Sequence, residues 1–176
     1  SGQNDWRLVH RDDFGSGGLN SWFGTSALNN TTSATLENVD YGAFNGRVIR
    51  PQANSHWMKK EFDLSSVGAY NYVKVVFKYY FTDSWDPAEI GIAGFSPGNV
   101  PDASHVICWQ QMSQVYANSS PLANYTGSGY SDGATMGQMI GYYPSSTSTL
   151  FHVFFGMKSS ESTANERYAV GNFEIW

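Results

Sequence analysis

Three carboxylates recur at intervals of three residues where a strand-like segment ends, at Asp83, Asp86 and Glu89. This spacing places all three side chains in one loop. Carboxylate oxygens are the ligands that Ca²⁺ prefers, and the ion takes about six to eight oxygens, including backbone carbonyls. The stretch therefore predicts a structural calcium site. The alternative is a turn in which Asp83 and Asp86 accept backbone N–H groups around a packed Trp85.

The sequence contains no G-x-S-x-G, P-loop or dinucleotide-binding motif. The nearest approach to a glycosidase-like pair of acids lies within Glu37–Asp40, which we predict as a solvated loop. Cys108 lies in the apolar run 106–109 and is predicted to be an inert core thiol. The histidines occupy separate predicted elements, without zinc-like spacing: His10, His56, His105 and His152. We therefore predict that the protein is not an enzyme, and a jelly-roll hydrolase or lyase is the least favoured alternative.

Several aromatic side chains fall in polar stretches, and four of them are predicted ligand contacts: Trp22, Tyr116, Tyr125 and Tyr130. Tyr41 and Tyr143 have similar polar surroundings. A ring flanked by Asn, Gln or Asp can stack on a sugar while the polar groups bind its hydroxyls. Such rings are also enriched in the dry centre of protein–protein interfaces. Glycans and neighbouring protein chains, including further copies of this one, both remain possible partners.

Four sequons of the form N-x-S/T mark predicted glycosylation sites at Asn29, Asn30, Asn118 and Asn124. Such sequons are glycosylated where they lie in surface loops of secreted proteins. Together with the scarcity of charged residues, the sequons favour an extracellular or cell-surface glycoprotein.

Alternation with period two identifies the elements that must position these residues. From Val73 to Phe81, β-branched and aromatic residues alternate with positions that include Lys74 and Lys78, which predicts a strand with one buried face. Further strands are predicted at 6–9, 47–50, 57–62, 89–95, 105–110, 136–142, 150–157 and 168–176. Short strands separated by polar turn clusters predict one all-β domain over residues 1–176, a two-sheet antiparallel β-sandwich of jelly-roll type.

Aromatic residues are more numerous than charged ones in this chain of 176 residues. It has 6 Trp, 11 Tyr and 11 Phe against 10 basic and 15 acidic residues, with a net charge of −5. This composition excludes disorder and a charged helical bundle. The negative net charge and the lack of a basic run argue against nucleic-acid binding. No apolar run approaches the roughly 18 residues of a membrane helix, so no membrane insertion is predicted.

The segment Phe62-Asp63-Leu64-Ser65 precedes the alternating strand, which runs into Asp83-Ser84-Trp85-Asp86, and the chain closes on Glu166–Ile175. This order resembles an extracellular β-sandwich domain that recurs in large surface proteins of protists, whose strand enters an Asp-Ser-Trp-Asp loop. The opening Asp12-Asp13-Phe14 is similar to the first strand of jelly-roll, carbohydrate-binding-module-like sandwiches. The resemblance implies an extracellular sandwich that forms part of a larger surface structure.

The resemblance also implies an alternative calcium site where the first and last strands meet, drawing on Asp12, Asp13, Glu166, Asn172 or Glu174. For function, it favours a non-catalytic structural or adhesive module that associates with itself or with neighbouring surface chains. The alternative is a carbohydrate-binding module or lectin that uses the loop aromatics.

Overall fold

The computed structural model describes residues 5–26, 33–52, 56–83, 85–86, 89–97, 107–112, 126, 132–158 and 166–176. They form the strands β1 His10–Asp12, β2 Phe23–Thr25, β3 Ser33–Ala34, β4 Leu36–Asp40, β5 Arg47–Pro51, β6 Trp57–Asp63, β7 Tyr72–Asp83, β8 Ile90–Ser96, β9 Ile107–Met112, β10 Gly133–Tyr142, β11 Leu150–Lys158 and β12 Glu166–Ile175. Among these residues there is no helix with the length and apolar character needed to cross a membrane.

The strands form two antiparallel sheets. The β7 sheet has the order β10-β7-β12-β5-β4, and β1 pairs with the end of β12. The β11 sheet has the order β3-β2-β6-β11-β8-β9. The predicted fold class, an all-β antiparallel sandwich of jelly-roll type, is confirmed. We call the side of the β7 sheet that points away from the β11 sheet its outer face.

The alternation of β7 directs its aromatic residues between the two sheets. The inward residues are each at most 1% exposed, as predicted: Val73, Val75, Phe77, Tyr79 and Phe81. Phe155 of β11 meets Phe77 edge to face, with 4.9 Å between the ring centroids. Burial of each such large apolar side chain contributes about 1.5–3 kcal/mol, so this face is the main source of stability.

Two buried tyrosines in the β7 sheet make polar contacts with the opposite sheet. The Tyr79 hydroxyl donates to the carbonyl of Gly156 at 2.7 Å. The Tyr168 hydroxyl lies 3.0 Å from the carbonyl oxygens of both His56 and Phe155. The two phenol rings stack at 5.5 Å and 7°. Burial raises the pKa of both phenols well above the usual value, so they remain donors.

The structure corrects the prediction that residues 37–40 form a loop. They belong to β4, where Glu37 lies opposite Arg50 of β5 and forms an ion pair with it at 2.7 Å. β4 is at one end of the sheet order, and its polar side chains conceal the alternation in the sequence. The strand predicted at 6–9 is displaced to β1, although Val9 still donates its N–H to the carbonyl of Ile175. β2 and β3 were not predicted.

Trp22 is only 4% exposed, so the prediction that it is a ligand platform is wrong. Its ring packs against Phe173 and Phe155 at centroid distances of 5.2 and 5.5 Å. Asn20 and Ser21 have left-handed backbones with φ of 52° and 69°, and this reversal precedes the buried indole. Tyr41 and Tyr143, also predicted in loops, are 4% and 7% exposed.

Replacing Tyr168 with Phe removes the hydroxyl that hydrogen-bonds to the carbonyl oxygens of His56 and Phe155 between the sheets. Because an unsatisfied buried polar group costs about 1–3 kcal/mol, we expect Tyr168→Phe to lower the free energy of unfolding by that amount. Denaturant unfolding measures it. Tyr142→Phe removes the same hydroxyl from a side chain that is 66% exposed, and serves as the matched control. Equal unfolding free energies for the two variants would contradict the structural role given to Tyr168.

Candidate functional site

A β-bulge in β12 places a polar side chain on the outer face of the β7 sheet. Gly171 pairs with Lys78 and Glu174 with Val76, so two residues of β12 lie opposite Phe77 alone. The first, Asn172, has a left-handed backbone with φ of 46° and an exposed side chain. The second, Phe173, is fully buried. The bulge thus keeps Phe173 in the core and leaves Asn172 at the surface.

Two adjoining cavities meet at this bulge. The larger, of about 690 Å³, is lined by Asp13, Asp40, Phe44, Asn45, Arg47 and Asn172, among others. The second, of about 290 Å³, is lined by Arg11, Asp13, Met136, Asn172 and Glu174. Because Asp13 and Asn172 belong to both linings, the cavities form one depression. We call it the bulge groove.

The hairpin between β4 and β5 brings an aromatic ring to the groove. Its loop is closed by hydrogen bonds from the N–H of Tyr41 to the carbonyl of Gly46 and from the N–H of Gly46 to the carbonyl of Gly42. Both glycines have positive φ, which a residue with a side chain adopts only with strain. Phe44 at the loop tip is 100% exposed, and the side-chain oxygen of Asn45 accepts a hydrogen bond from Lys78 at 3.0 Å.

Beneath this loop, a network of side chains gives the hairpin a fixed base. The Tyr41 ring packs edge to face on Tyr80 at 5.3 Å, and its hydroxyl accepts from Arg50 at 3.0 Å. Glu37 pairs with Arg50 and also with Arg167, at 3.5 Å. Burial raises the pKa of Tyr41, and the neighbouring Arg50 opposes that rise only in part. The phenol therefore stays neutral and the hairpin stays anchored on the sheet.

The charged groups of the groove are held by partners within the protein. Arg11 and Glu174 face each other across β1 and β12, and their ion pair measures 2.6 Å. Arg47 donates to the side-chain oxygen of Asn38 at 2.8 Å, and Asp13 accepts from the N–H of Gly15 at 2.9 Å. Fixed donors and acceptors beside an exposed ring suit a ligand with both an apolar face and hydroxyl groups.

A second cluster lies at the end of the sandwich where β7 finishes. Carboxylate oxygens of Asp86, Glu89 and Glu166 lie within 4.8 Å of one another. Glu89 and Glu166 are 5% and 0% exposed. One oxygen of Glu89 also accepts the N–H of Asp86 at 3.0 Å. This cluster combines residues from the two calcium sets considered in the sequence.

Two of the predicted metal ligands lie outside this cluster. Asp83 accepts a hydrogen bond from the hydroxyl of Thr126 at 2.6 Å, and its N–H donates to Asp132 at 2.7 Å. Asp12 of β1 lies beside the C-terminal end of β12, because β1 pairs with residues 173–175. Glu166 is at the N-terminal end of β12, where it pairs with Asp83. Asp12 and Glu166 are therefore too far apart to bind one ion, and calcium binding where the first and last strands meet stays a prediction. Asp12 instead accepts from the N–H of Phe14 and from the Asn20 amide.

The remaining predicted site residues lie outside the described residues: Tyr116, Tyr125 and Tyr130 as ligand contacts, and Asn29, Asn30, Asn118 and Asn124 as glycosylation sites. They stay predictions. The sequence offered Asn172 only as a ligand of the alternative calcium site and not as a glycan contact, because the bulge leaves no local composition signal. A signal for Phe44 was present, since Gly42 and Gly46 bracket it as hairpin glycines do.

Neither family models nor curated protein sequences match this chain. Solved structures match its fold. TmCBM61 in complex with β-1,4-galactotriose is similar with a TM-score of 0.53 at 9% identity, over 93% of each chain. The CBM22-1 xylan-binding domain from Paenibacillus barcinonensis Xyn10C gives 0.50 at 12%, over 96% of this chain and 93% of that one. A cleaved adhesin domain of Lys-gingipain gives 0.53 at 11%, over 95% and 97%.

These similarities establish a β-sandwich like that of carbohydrate-binding modules. At such identities they describe the fold and leave the function of the chain to be argued from its own surface. The resemblance to protist surface domains, and to their Asp-Ser-Trp-Asp loop, stays a prediction.

Proposed function

We propose that this protein is a non-catalytic, extracellular carbohydrate-binding module that holds a glycan in the bulge groove. The observation that carries the proposal is the juxtaposition of the fully exposed Phe44 ring with the amide, carboxylate and guanidinium groups of Asn172, Asp13 and Arg47 around one depression. A sugar has an apolar ring face and a rim of hydroxyls, and this groove offers a partner for each.

The hydroxyls of a neutral glycan are bound by several directed hydrogen bonds rather than by the electrostatic field of a net charge. Arg11 and Glu174 neutralise each other, so the groove presents directed hydrogen-bonding groups without a net charge from that pair. Similar folds support the proposal, since TmCBM61 was solved with a galactotriose and a CBM22 module is described as xylan-binding. Tyr116, Tyr125 and Tyr130 remain predicted further contacts.

Removing the Phe44 ring tests the stacking contact. Because interfaces depend on a few aromatic contacts, we expect Phe44→Ala to weaken glycan binding about tenfold, which corresponds to roughly 1.4 kcal/mol. The measurement is binding to an array of immobilised oligosaccharides that includes β-1,4-galactans and xylans, followed by titration of the best binder.

Two further variants separate the groove from general damage. Asn172→Gly removes the side chain while keeping a residue that tolerates the left-handed backbone, so binding should fall and the unfolding midpoint should hold. Phe23→Ala truncates a ring that is 36% exposed on the β11 sheet and should leave binding unchanged. Full affinity in both groove variants, or a wild-type protein that binds no glycan on the array, would refute the proposal.

Self-association is the second candidate function, favoured by the character of β10. This ten-residue strand ends the sheet order of the described residues and contains no charged residue. Met136, Ile140 and Tyr142 on its outer face are 59%, 48% and 66% exposed. Edge strands are normally protected by charge or proline, so an uncharged apolar edge suits pairing with another strand. Two copies paired antiparallel about Gln138 would place Met136 against Ile140.

Placing a charge in this strand tests self-association. Ile140→Lys should shift the protein from dimer to monomer in sedimentation velocity, because it would place a charge opposite the apolar Met136 of the other copy on the paired edge. Leu150→Lys makes the same change at a side chain that is 46% exposed in the other sheet, and should leave the dimer intact. A wild-type protein that sediments as a monomer at every concentration tested would refute this function.

For the acidic cluster, we propose a structural calcium ion held by Asp86, Glu89 and Glu166. Three carboxylates within 4.8 Å of one another repel when ionised, and two of them are buried. A divalent cation would neutralise this repulsion, and carboxylate oxygens are its preferred ligands. Because the cluster joins Glu166 of β12 to the loop after β7, the ion would tie these segments together.

Calcium should therefore raise the unfolding temperature. At about one hundred times Kd, a ligand adds about 2.7 kcal/mol to stability, which at about 2–4 °C per kcal/mol for a chain of this size is roughly 5–10 °C. Thermal unfolding in EDTA and in millimolar Ca²⁺ measures the shift. Glu166→Gln should abolish it, while Glu61→Gln at an exposed site should not. An identical unfolding midpoint in EDTA and in calcium would refute the proposed calcium site.

A further inference from the structure

The outer face of the β7 sheet carries a second aromatic site, at the end where β7 begins. Trp6, Tyr72 and Tyr142 are 36%, 55% and 66% exposed there. Tyr72 and Tyr142 pair edge to face with 5.5 Å between their ring centroids. The ammonium of Lys74 lies over the rings of both Trp6 and Trp176, at 4.6 and 5.1 Å. We call these five residues the aromatic corner.

Backbone and side-chain contacts hold the corner in place. Lys74 and Trp176 exchange two backbone hydrogen bonds, of 2.8 and 2.9 Å. The N-terminal segment that carries Trp6 is fixed immediately after this residue: the Arg7 guanidinium donates to the carbonyl of Val67 at 2.8 Å, and the N–H of Val9 donates to the carbonyl of Ile175. The exposed rings are thus presented in fixed positions, which lowers the entropy cost of binding.

A cavity of about 210 Å³ opens beside these rings. Its lining includes Asp5, Trp6, Arg7, Tyr72 and Trp176. Pockets for drug-sized ligands measure about 300–1,000 Å³, so this cavity matches a single ring better than a chain. Its lining combines aromatic side chains with one carboxylate and one guanidinium, which can accept and donate hydrogen bonds.

The position of Lys74 narrows the class of ligand. Its ammonium already lies over both indole rings, so a cationic ligand would be repelled from the faces that attract cations elsewhere. A neutral ring with hydroxyls can stack on the open aromatic surface and bind the ammonium, Asp5 and Arg7. The corner shares no residue with the bulge groove, although its Trp176 lies only two residues, or about 7 Å, beyond Glu174 of the groove.

We propose that the aromatic corner is a second carbohydrate site that takes one sugar residue, such as the terminal residue of a glycan. The inference shares its ligand class with the proposed function but uses none of the residues of the bulge groove. A glycan long enough to reach both sites would be held at two points on one face, and its apparent affinity would then exceed that of either site.

Saturation-transfer NMR with galactose, glucose, xylose and mannose, each supplied alone at millimolar concentration, tests the corner. We expect transfer from the wild-type protein to at least one of the four, and an affinity about tenfold lower in Trp6→Ala and in Tyr142→Ala. Phe44→Ala should retain the wild-type signal. Thermal unfolding of each variant establishes that it is folded, and Tyr142→Ala covers the case in which Trp6→Ala is not.

Three results would overturn the proposal: no transfer from the wild-type protein to any of the four sugars, equal transfer from wild type and both corner variants, or loss of transfer in Phe44→Ala alone. The array experiment reports on the bulge groove separately. If array binding depends on Phe44 but not on Trp6, the proposed function is supported and the second site is not. If monosaccharide binding depends on Trp6 and no glycan on the array is bound, the aromatic corner is supported and the bulge groove is not.

Discussion

The structure depends on burying two phenol hydroxyls between its sheets. Tyr79 and Tyr168 belong to the β7 sheet, but their hydroxyls reach carbonyl oxygens of Gly156, His56 and Phe155 on the side of the β11 sheet. A buried donor without an acceptor costs about 1–3 kcal/mol, so each hydroxyl fixes the register of its strand against the opposite sheet. Because Tyr168 of β12 pairs with Phe81 of β7, the positions of β7 and β12 relative to the opposite sheet are fixed together.

Two of the large rings between the sheets lie against glycines, one on the opposite sheet and one on the neighbouring strand of the same sheet. A Cβ on Gly91 of β8, in the opposite sheet, would lie 2.6 Å from the Tyr79 ring, and one on Gly137 of β10, which pairs with Phe77 in the same sheet, would lie 2.2 Å from the Phe77 ring. The fixed register also determines the surface. Val170 and Phe173 are three residues apart and must both enter the core, and the bulge that permits this turns Asn172 outward. The groove residue is thus a consequence of core packing.

The sequence predicted those parts of the fold in which burial alternates strictly, such as Val73 to Phe81, because period two reports directly on a buried face. The sequence-based prediction failed where the polarity of a segment does not indicate whether it is buried. Glu37 looks like a loop residue, yet its pairing with Arg50 lets a polar segment form an edge strand. Trp22 has polar neighbours, yet the reversed backbone before it places the indole in the core. The spacing of the acidic residues predicted that Asp86 and Glu89 would lie together, but the addition of Glu166 depends on the strand pairing that brings it to the end of β7.

The binding surfaces proposed for this protein share one face because of the same alternation. On β7, the inward positions hold the core and the outward ones include Tyr72, Lys74 and Lys78. Lys78 supports the groove through Asn45, and Lys74 supports the aromatic corner through two indoles. On the neighbouring β10, Met136 lines the groove and also belongs to the apolar edge. A glycan in the groove and a second copy on β10 would therefore meet at Met136, so occupancy of one surface should weaken occupancy of the other.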